Sequence, residues 1–182
     1  MLMIGCTPPG RHTEQHDVLF AIGTKLADLT GQIKAFWPEA KDRIHLDAWR
    51  EVTSVNGYQI EVVEKEVTTT EQKEKLFFIN LGGYTKNVFA EQHYITLAVS
   101  ETNAGATKLA KETVFYKEVH FPGAESHIDD KYAIDVDDLY DVEDILPAAM
   151  KEKYAIKISK NDTLPDDEIH LGYFKMSRVE KM

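Results

Sequence analysis

The sequence predicts an α+β fold built from two pseudo-symmetric ββαββ repeats, mostly antiparallel sheet with one main helix packed per repeat. Three observations predict it. Thr24-Lys25-Leu26-Ala27 recurs as Thr107-Lys108-Leu109-Ala110, and Glu14-Gln15-His16 recurs as Glu91-Gln92-His93. Further pairs keep the same order: Gly5 with Gly82, Pro38-x-Ala40 with Pro122-x-Ala124, Ile44-x-x-Asp47 with Ile134-x-x-Asp137, and Tyr58-x-Ile60 with Tyr154-x-Ile156. Their offsets rise along the chain through 77, 83, 84, 90 and 96 and never fall, as two collinear copies behave when the second carries insertions. Residues 1–65 form repeat 1, 66–74 a polar linker, and 75–182 repeat 2 with insertions and an extra C-terminal strand, the two sharing one core.

Each copy opens on a short apolar run ending at glycine, Leu2 to Gly5 and Leu76 to Gly82, which reads as a buried strand. The Glu-Gln-His segment follows. In copy two His93, Ile95, Leu97 and Val99 alternate with Tyr94, Thr96 and Ala98, a strand period that carries strand back to Val18–Ile22 in copy one. Leu26, Leu29, Ile33 and Phe36 recur at helical spacing and stop before Pro38. Ala106, Leu109, Ala110 and Val114 do the same in copy two, with Ser100 or Thr102 as N-cap. Asn56-Gly57 signals a two-residue turn between strands Ile44–Trp49 and Tyr58–Val62. In copy two Ile134, Val136, Tyr140 and Val142 alternate as a strand. Pro147 to Lys153 reads as a helical turn with proline first, and Ala155–Ser159 returns as a strand. A last strand, Ile169 to Lys175, adds to the sheet.

A net charge of −10 argues against a nucleic-acid or anionic-membrane surface. Nine carboxylates face one lysine between Glu125 and Asp144, a solvated acidic face or a lure for a cation or basic partner. The EF-hand pattern fails from Asp135, because its glycine and closing glutamate are missing. Cys6 is the single cysteine, so no intrachain disulfide forms and a reducing, cytoplasmic setting is expected. Met3-Ile4-Gly5-Cys6 lacks the basic and apolar flanks of a lipoprotein signal. No apolar run approaches the roughly 20 residues that span a membrane.

Three groups of residues carry chemistry. The loop Thr7-Pro8-Pro9-Gly10-Arg11-His12-Thr13 concentrates hydroxyl, guanidinium, imidazole and glycine N–H donors after a strand, which suits an anion; Pro-Pro-Gly also suits a plain rigid turn. Glu14 with His16, and Glu91 with His93, stand two apart and share a strand face. Such a pair acts as a general base, ligates metal, or simply fixes a loop; retention in both copies points to the structural role. His45 with Asp47 has the same spacing, but copy two places Asp135 where His45 stands, so the fold does not demand that histidine. His127 with Asp129 and Asp130 lies in an insertion. Cys6 near His12 and His16 raises a Cys–His nucleophile, against which stands a small buried thiol at a strand end.

The run Gly5 to Asp17, the strand His45-Leu46-Asp47-Ala48-Trp49, and His127-Ile128-Asp129-Asp130-Lys131-Tyr132 with Asp135-Val136-Asp137-Asp138 resemble a small bacterial domain-of-unknown-function family, the one numbered 1543. The resemblance implies a bacterial origin and a domain found in one or two copies. It implies no activity, substrate or catalytic residue.

The sequence therefore points first to a binding or regulatory module. It would hold a small anionic ligand through Thr7, Gly10, Arg11, His12, Thr13, Glu14, His16, His45 and Asp47, with no metal ligands and no cofactor assigned. The alternative is a hydrolase or isomerase using His16 with Glu14, metal-assisted or not. A third reading is a structural protein forming a homodimer.

Overall fold

The computed structural model describes residues 1–65, 72–84, 87–113 and 135–182. Expectations for the linker from residue 66 to 71, Val114, Pro122-x-Ala124, the His127–Tyr132 insertion and Ile134 lie outside the described residues. The chain is mixed α+β, and every strand pair among the described residues is antiparallel. It divides into two compact units, one combining Met1–Val67 with Ile145–Met182, the other Thr68–Asp144.

In the first unit β1 (Leu2–Cys6) lies between β2 (Gln15–Leu19) and β3 (His45–Trp49). Strand period decides which way β1 faces. Leu2, Ile4 and Cys6 enter the core with Leu19, Ile33, Ile44 and Leu46, while Met3 and Gly5 lie on the opposite face. The expected helix forms as a 3-10 turn, Leu26–Leu29, running into α1 (Thr30–Phe36). The Asp28 carboxylate accepts from the Thr24 hydroxyl at 2.6 Å and the Lys25 N–H at 3.3 Å, closing the helix start. Gln32 grips Ile22 twice, donating to its carbonyl at 2.7 Å and accepting its N–H at 3.3 Å. Ile33 fills the core beneath, and Phe36 points outward, the one apolar position of the predicted stripe that stays exposed. Pro38 ends α1 and opens a second 3-10 stretch, Pro38–Arg43.

The Asn56-Gly57 turn forms, with φ of 39° and 83°, but it joins other strands than expected. A two-residue turn pairs only its immediate flanks, so the partner of β5 (Tyr58–Glu64) is the short β4 (Ser54–Val55), with Val55 opposite Tyr58. Strand β3 belongs to another sheet. Asp167 anchors the start of β4, accepting from the Thr53 hydroxyl at 2.7 Å and the Ser54 N–H at 3.0 Å. The other edge of β5 pairs with β9 (Tyr154–Lys160), Glu61 opposite Lys157 with the charges 3.1 Å apart.

Strand β10 (His170–Lys175) docks on the free edge of β3, giving the order β10-β3-β1-β2. Trp49 stacks on His170 at 3.9 Å, and the His45 ring lies 4.3 Å from that of Tyr173. Phe174 and Val179, the latter on the short helix Met176–Val179, complete the first unit's core.

In the second unit β6 (Lys75–Tyr84) is central between β7 (Glu91–Ser100) and β8 (Asp135–Asp141). Phe77, Ile79 and Leu81 face α2 (Asn103–Thr113), which buries Ala106 and Ala110 against them. Thr102 is the N-cap, its hydroxyl accepting the Gly105 N–H at 3.1 Å. Strand β8 ends one residue earlier than its alternation suggests, because Val142 turns into the short helix Val142–Ile145. Pro147 precedes the helix Ala148–Lys153 as its N-cap rather than opening it.

If β10 is integral to the first unit's core, Phe174→Ala should cost roughly 3–5 kcal/mol, as for other buried phenylalanines. Chemical denaturation of the full chain measures it.

Candidate metal centre

The polar face of the β2-β1-β3 sheet is organised around a residue with no side chain. Gly5 stands directly opposite His16 on β2 and opposite His45 on β3. Neighbouring strands lie about 4.8 Å apart, so two imidazoles flanking one glycine lean over it and approach each other. A Cβ on Gly5 would collide with the Asp47 carboxylate and the His45 ring.

A bulge supplies a third group. Along β1 and β3, Met3 pairs with Ala48 and Ile4 with Leu46, leaving Asp47 as the extra residue. An extra residue bends the strand and re-aims its side chain. The Asp47 carboxylate swings into the space above Gly5, and Glu14 enters from the residue preceding β2. The result is a ring of alternating imidazole and carboxylate. His16 Nε2 lies 3.2 Å from Asp47 Oδ2, and His45 Nε2 lies 3.5 Å from Asp47 Oδ1. His45 Nε2 is 3.0 Å from Glu14 Oε1, and Glu14 Oε2 is 3.7 Å from His16 Nε2.

The four groups differ in exposure. The His45 side chain is 4% exposed beneath Tyr173, whereas those of His16 and Glu14 are 46% and 43% exposed. His45 Nδ1 lies 3.3 Å from the Arg43 carbonyl. A carbonyl only accepts, so Nδ1 is the donor in that contact, and Nε2 is the nitrogen that faces the carboxylates of Glu14 and Asp47. His45 Nε2 and Asp47 Oδ2 are buried with no hydrogen bond, although oxygen and nitrogen neighbours stand within 3.5 Å of each.

The same frame recurs in the second unit. Gly82 stands opposite His93 on β7 and Asp135 on β8. Between Asn80–Asp138 and Leu81–Val136 the ladder again gains one residue, Asp137. His93 Nε2 is 3.2 Å from Asp137 Oδ2 and 3.8 Å from Glu91 Oε2.

The remaining predicted site residues stand apart from this chemistry. Pro8 to Arg11 is a turn closed by the Arg11 N–H to the Pro8 carbonyl at 3.2 Å, with Pro9 fixing φ and Gly10 at +80°. Turn geometry accounts for Pro-Pro-Gly. Arg11, His12 and Thr13 are exposed and make no side-chain hydrogen bond or ion pair among the described residues. The Thr7 carbonyl accepts from Arg43 at 3.3 Å. Cationic side chains gather instead in an open groove of about 420 Å³ lined by Lys34, Lys41, Arg43, Tyr173 and Lys175 among others. Lys34 there is already paired to Glu180 at 3.0 Å.

Asp137 and the two glycines were not singled out as site residues, yet the repeat carries their signal. Glu-x-His, the glycine and the aspartate of Ile-x-x-Asp all recur in the same order.

Fold and site together define an antiparallel α+β protein with a cross-strand imidazole–carboxylate cluster over a central glycine. Residues 11–62 match the family described as Domain of Unknown Function (DUF1543), a stretch that contains Glu14, His16, His45 and Asp47. The fold is shared with protein Il1583 from Idiomarina loihiensis, known from its crystal structure, at a TM-score of 0.57 and 18% identity over 96% of this chain and 94% of that one. No curated protein matches the sequence. Among the described residues no helix is long and apolar enough to cross a membrane.

Cys6 belongs to the core, not the site. It is fully buried, and burial pushes its thiol pKa up. The native protein should therefore resist an aromatic disulfide reagent and react stoichiometrically once unfolded; a fast native reaction monitored at neutral pH would contradict this placement.

Proposed function

We propose that the protein binds a divalent transition-metal ion through Glu14, His16, His45 and Asp47. The observation that carries this reading is the buried Nε2 of His45, which makes no hydrogen bond yet lies 3.0 and 3.5 Å from two carboxylates. Lone pair against anionic oxygen is repulsive without a cation between them. A proton on Nε2 is one such cation, but it serves only the contacts of His45 to Glu14 at 3.0 Å and Asp47 at 3.5 Å and leaves those of His16 unserved. An ion at the centre satisfies all the groups together. Metal bonds of roughly 2.0–2.2 Å to imidazole and carboxylate place ligand atoms on the order of 3.0–3.6 Å apart, and the neighbouring nitrogen–oxygen distances here run from 3.0 to 3.7 Å. The Arg43 carbonyl on Nδ1 is the partner that a ligating histidine characteristically keeps on its other nitrogen.

The reading revises what an anionic ligand would need. Glu14 and Asp47 repel an anion, so one reaches these residues only through a bound cation. A second reading, metal-assisted hydrolysis or isomerisation, is favoured by the half-open side at His16 and Glu14, where water or substrate reaches the ion. Both histidines stay in use there, His16 as an exposed ligand and His45 as a buried one.

Calorimetric titration of chelator-treated protein with Zn²⁺, Ni²⁺ and Mn²⁺ tests the proposal. Zn²⁺ or Ni²⁺ should bind, and His45→Ala and Asp47→Asn should each weaken that binding by tenfold or more, about 1.4 kcal/mol. Saturation at about 100 times Kd should stabilise the fold by ~2.7 kcal/mol in thermal or chemical unfolding. Unchanged affinity in both variants, with their folds intact by circular dichroism, overturns the assignment.

A further inference from the structure

We propose that the Thr68–Asp144 unit holds a second, independent metal site made by Glu91, His93 and Asp137, and that it discriminates less strongly for Zn²⁺ over Mn²⁺ than the first. The inference borrows its chemistry from the reading of the first site but rests on separate residues.

Three observations carry it. Glu91, His93 and Asp137 each offer one ligand atom, and those three atoms all lie within 4.8 Å of one another. In the first unit each carboxylate instead reaches both imidazoles through its two oxygens. The second observation is the cradle. A Cβ on Gly82 would collide with all three atoms of the Asp137 carboxyl group, so the missing side chain is what admits that carboxylate. The third is the bulge. A ladder running in regular register from Phe77–Asp141 to Asn80–Asp138 breaks at Asp137 alone and resumes at Leu81–Val136. Interrupting pairing forfeits ladder order at that point, and what it gains here is one carboxylate aimed at His93.

The donor sets dictate the difference between the sites. The first unit offers two imidazoles and two carboxylates. In the second, the strand position of His45, opposite the central glycine, is held by Asp135. One imidazole among carboxylates is a harder set, and harder sets favour oxygen-seeking ions such as Mn²⁺ relative to Zn²⁺. The second set is also open, with the His93 side chain 44% and that of Asp137 31% exposed. No ligand there is shielded as His45 is, so exchange with solvent should be faster and affinity lower.

The experiment uses the full chain after chelator treatment. Mn²⁺ is titrated while the electron-spin resonance signal of free Mn²⁺ is followed, and Zn²⁺ competition is read on the same samples. Wild type should take up two ions, and His16→Ala and His93→Ala one each. The Zn²⁺/Mn²⁺ preference of the ion left in His16→Ala should be at least tenfold smaller than that of the ion left in His93→Ala. Glu91→Gln, which keeps side-chain shape, should weaken the same ion as His93→Ala and serves if that variant fails to fold. Uptake by His93→Ala and Glu91→Gln equal to wild type overturns the second site. Uptake of one ion by wild type that vanishes in His16→Ala overturns it too, while leaving the first site standing. Uptake surviving in His16→Ala but lost in His93→Ala supports the second site and removes the first.

Discussion

The rest of the site depends on an absence, the side chain missing at Gly5. A three-stranded antiparallel patch normally presents a row of three side chains across its face, and the middle one separates the outer two. With glycine in the middle, His16 and His45 meet over bare backbone, and Asp47 and Glu14 can complete the ring. Its φ does not require glycine; the space does. Gly82 imposes the same condition on the second unit.

Strand alternation keeps this chemistry away from the core. Because Leu2, Ile4 and Cys6 face the helix, Met3 and Gly5 must face the other way, and the imidazoles and carboxylates follow Gly5 by register. Four polar groups gathered on the helix face would sit in the densest packing of the unit and lose solvation without compensation. On the opposite face only His45 is closed off, by the Tyr173 ring that β10 brings across. The strand latest in the sequence therefore shields a histidine that the third strand supplies.

Much of this was legible in residues alone. The alternation from His93 to Val99 gave strand, and β7 is a strand. Helical spacing up to Pro38 gave a helix that stops there. Where the reading missed, the cause was non-local. Asn56-Gly57 announces a hairpin but cannot say that four residues leave β3 before a two-residue strand begins. A bulge is invisible to periodicity, because the extra residue is defined by the partner strand; hence Asp47 was placed on a strand face rather than at a break in the ladder. Retention of Glu-x-His in both copies, taken by itself, points to a structural role. The geometry offers another cause for the same retention, since each unit assembles its own cluster around its own glycine.

Charge at the cluster bears on which kind of ligand it suits. With neutral imidazoles, Glu14 and Asp47 give the first cluster a formal charge of −2, which one divalent cation cancels. Glu91 and Asp137 do the same beside His93. An acidic chain of net charge −10 attracts a cation at long range and repels an anion. The cationic groups that would hold an anion lie elsewhere in the first unit, at Lys41, Arg43 and Lys175 in the open groove. Arg43 connects the two places: its carbonyl lies 3.3 Å from His45 Nδ1 while its side chain lines the groove. Tyr173 does so as well, with its ring against His45 and its side chain in the groove wall. Carboxylates and cationic side chains are thus gathered on neighbouring surfaces, divided by the one buried histidine, and the sheet face over Gly5 is the one we propose for a cation.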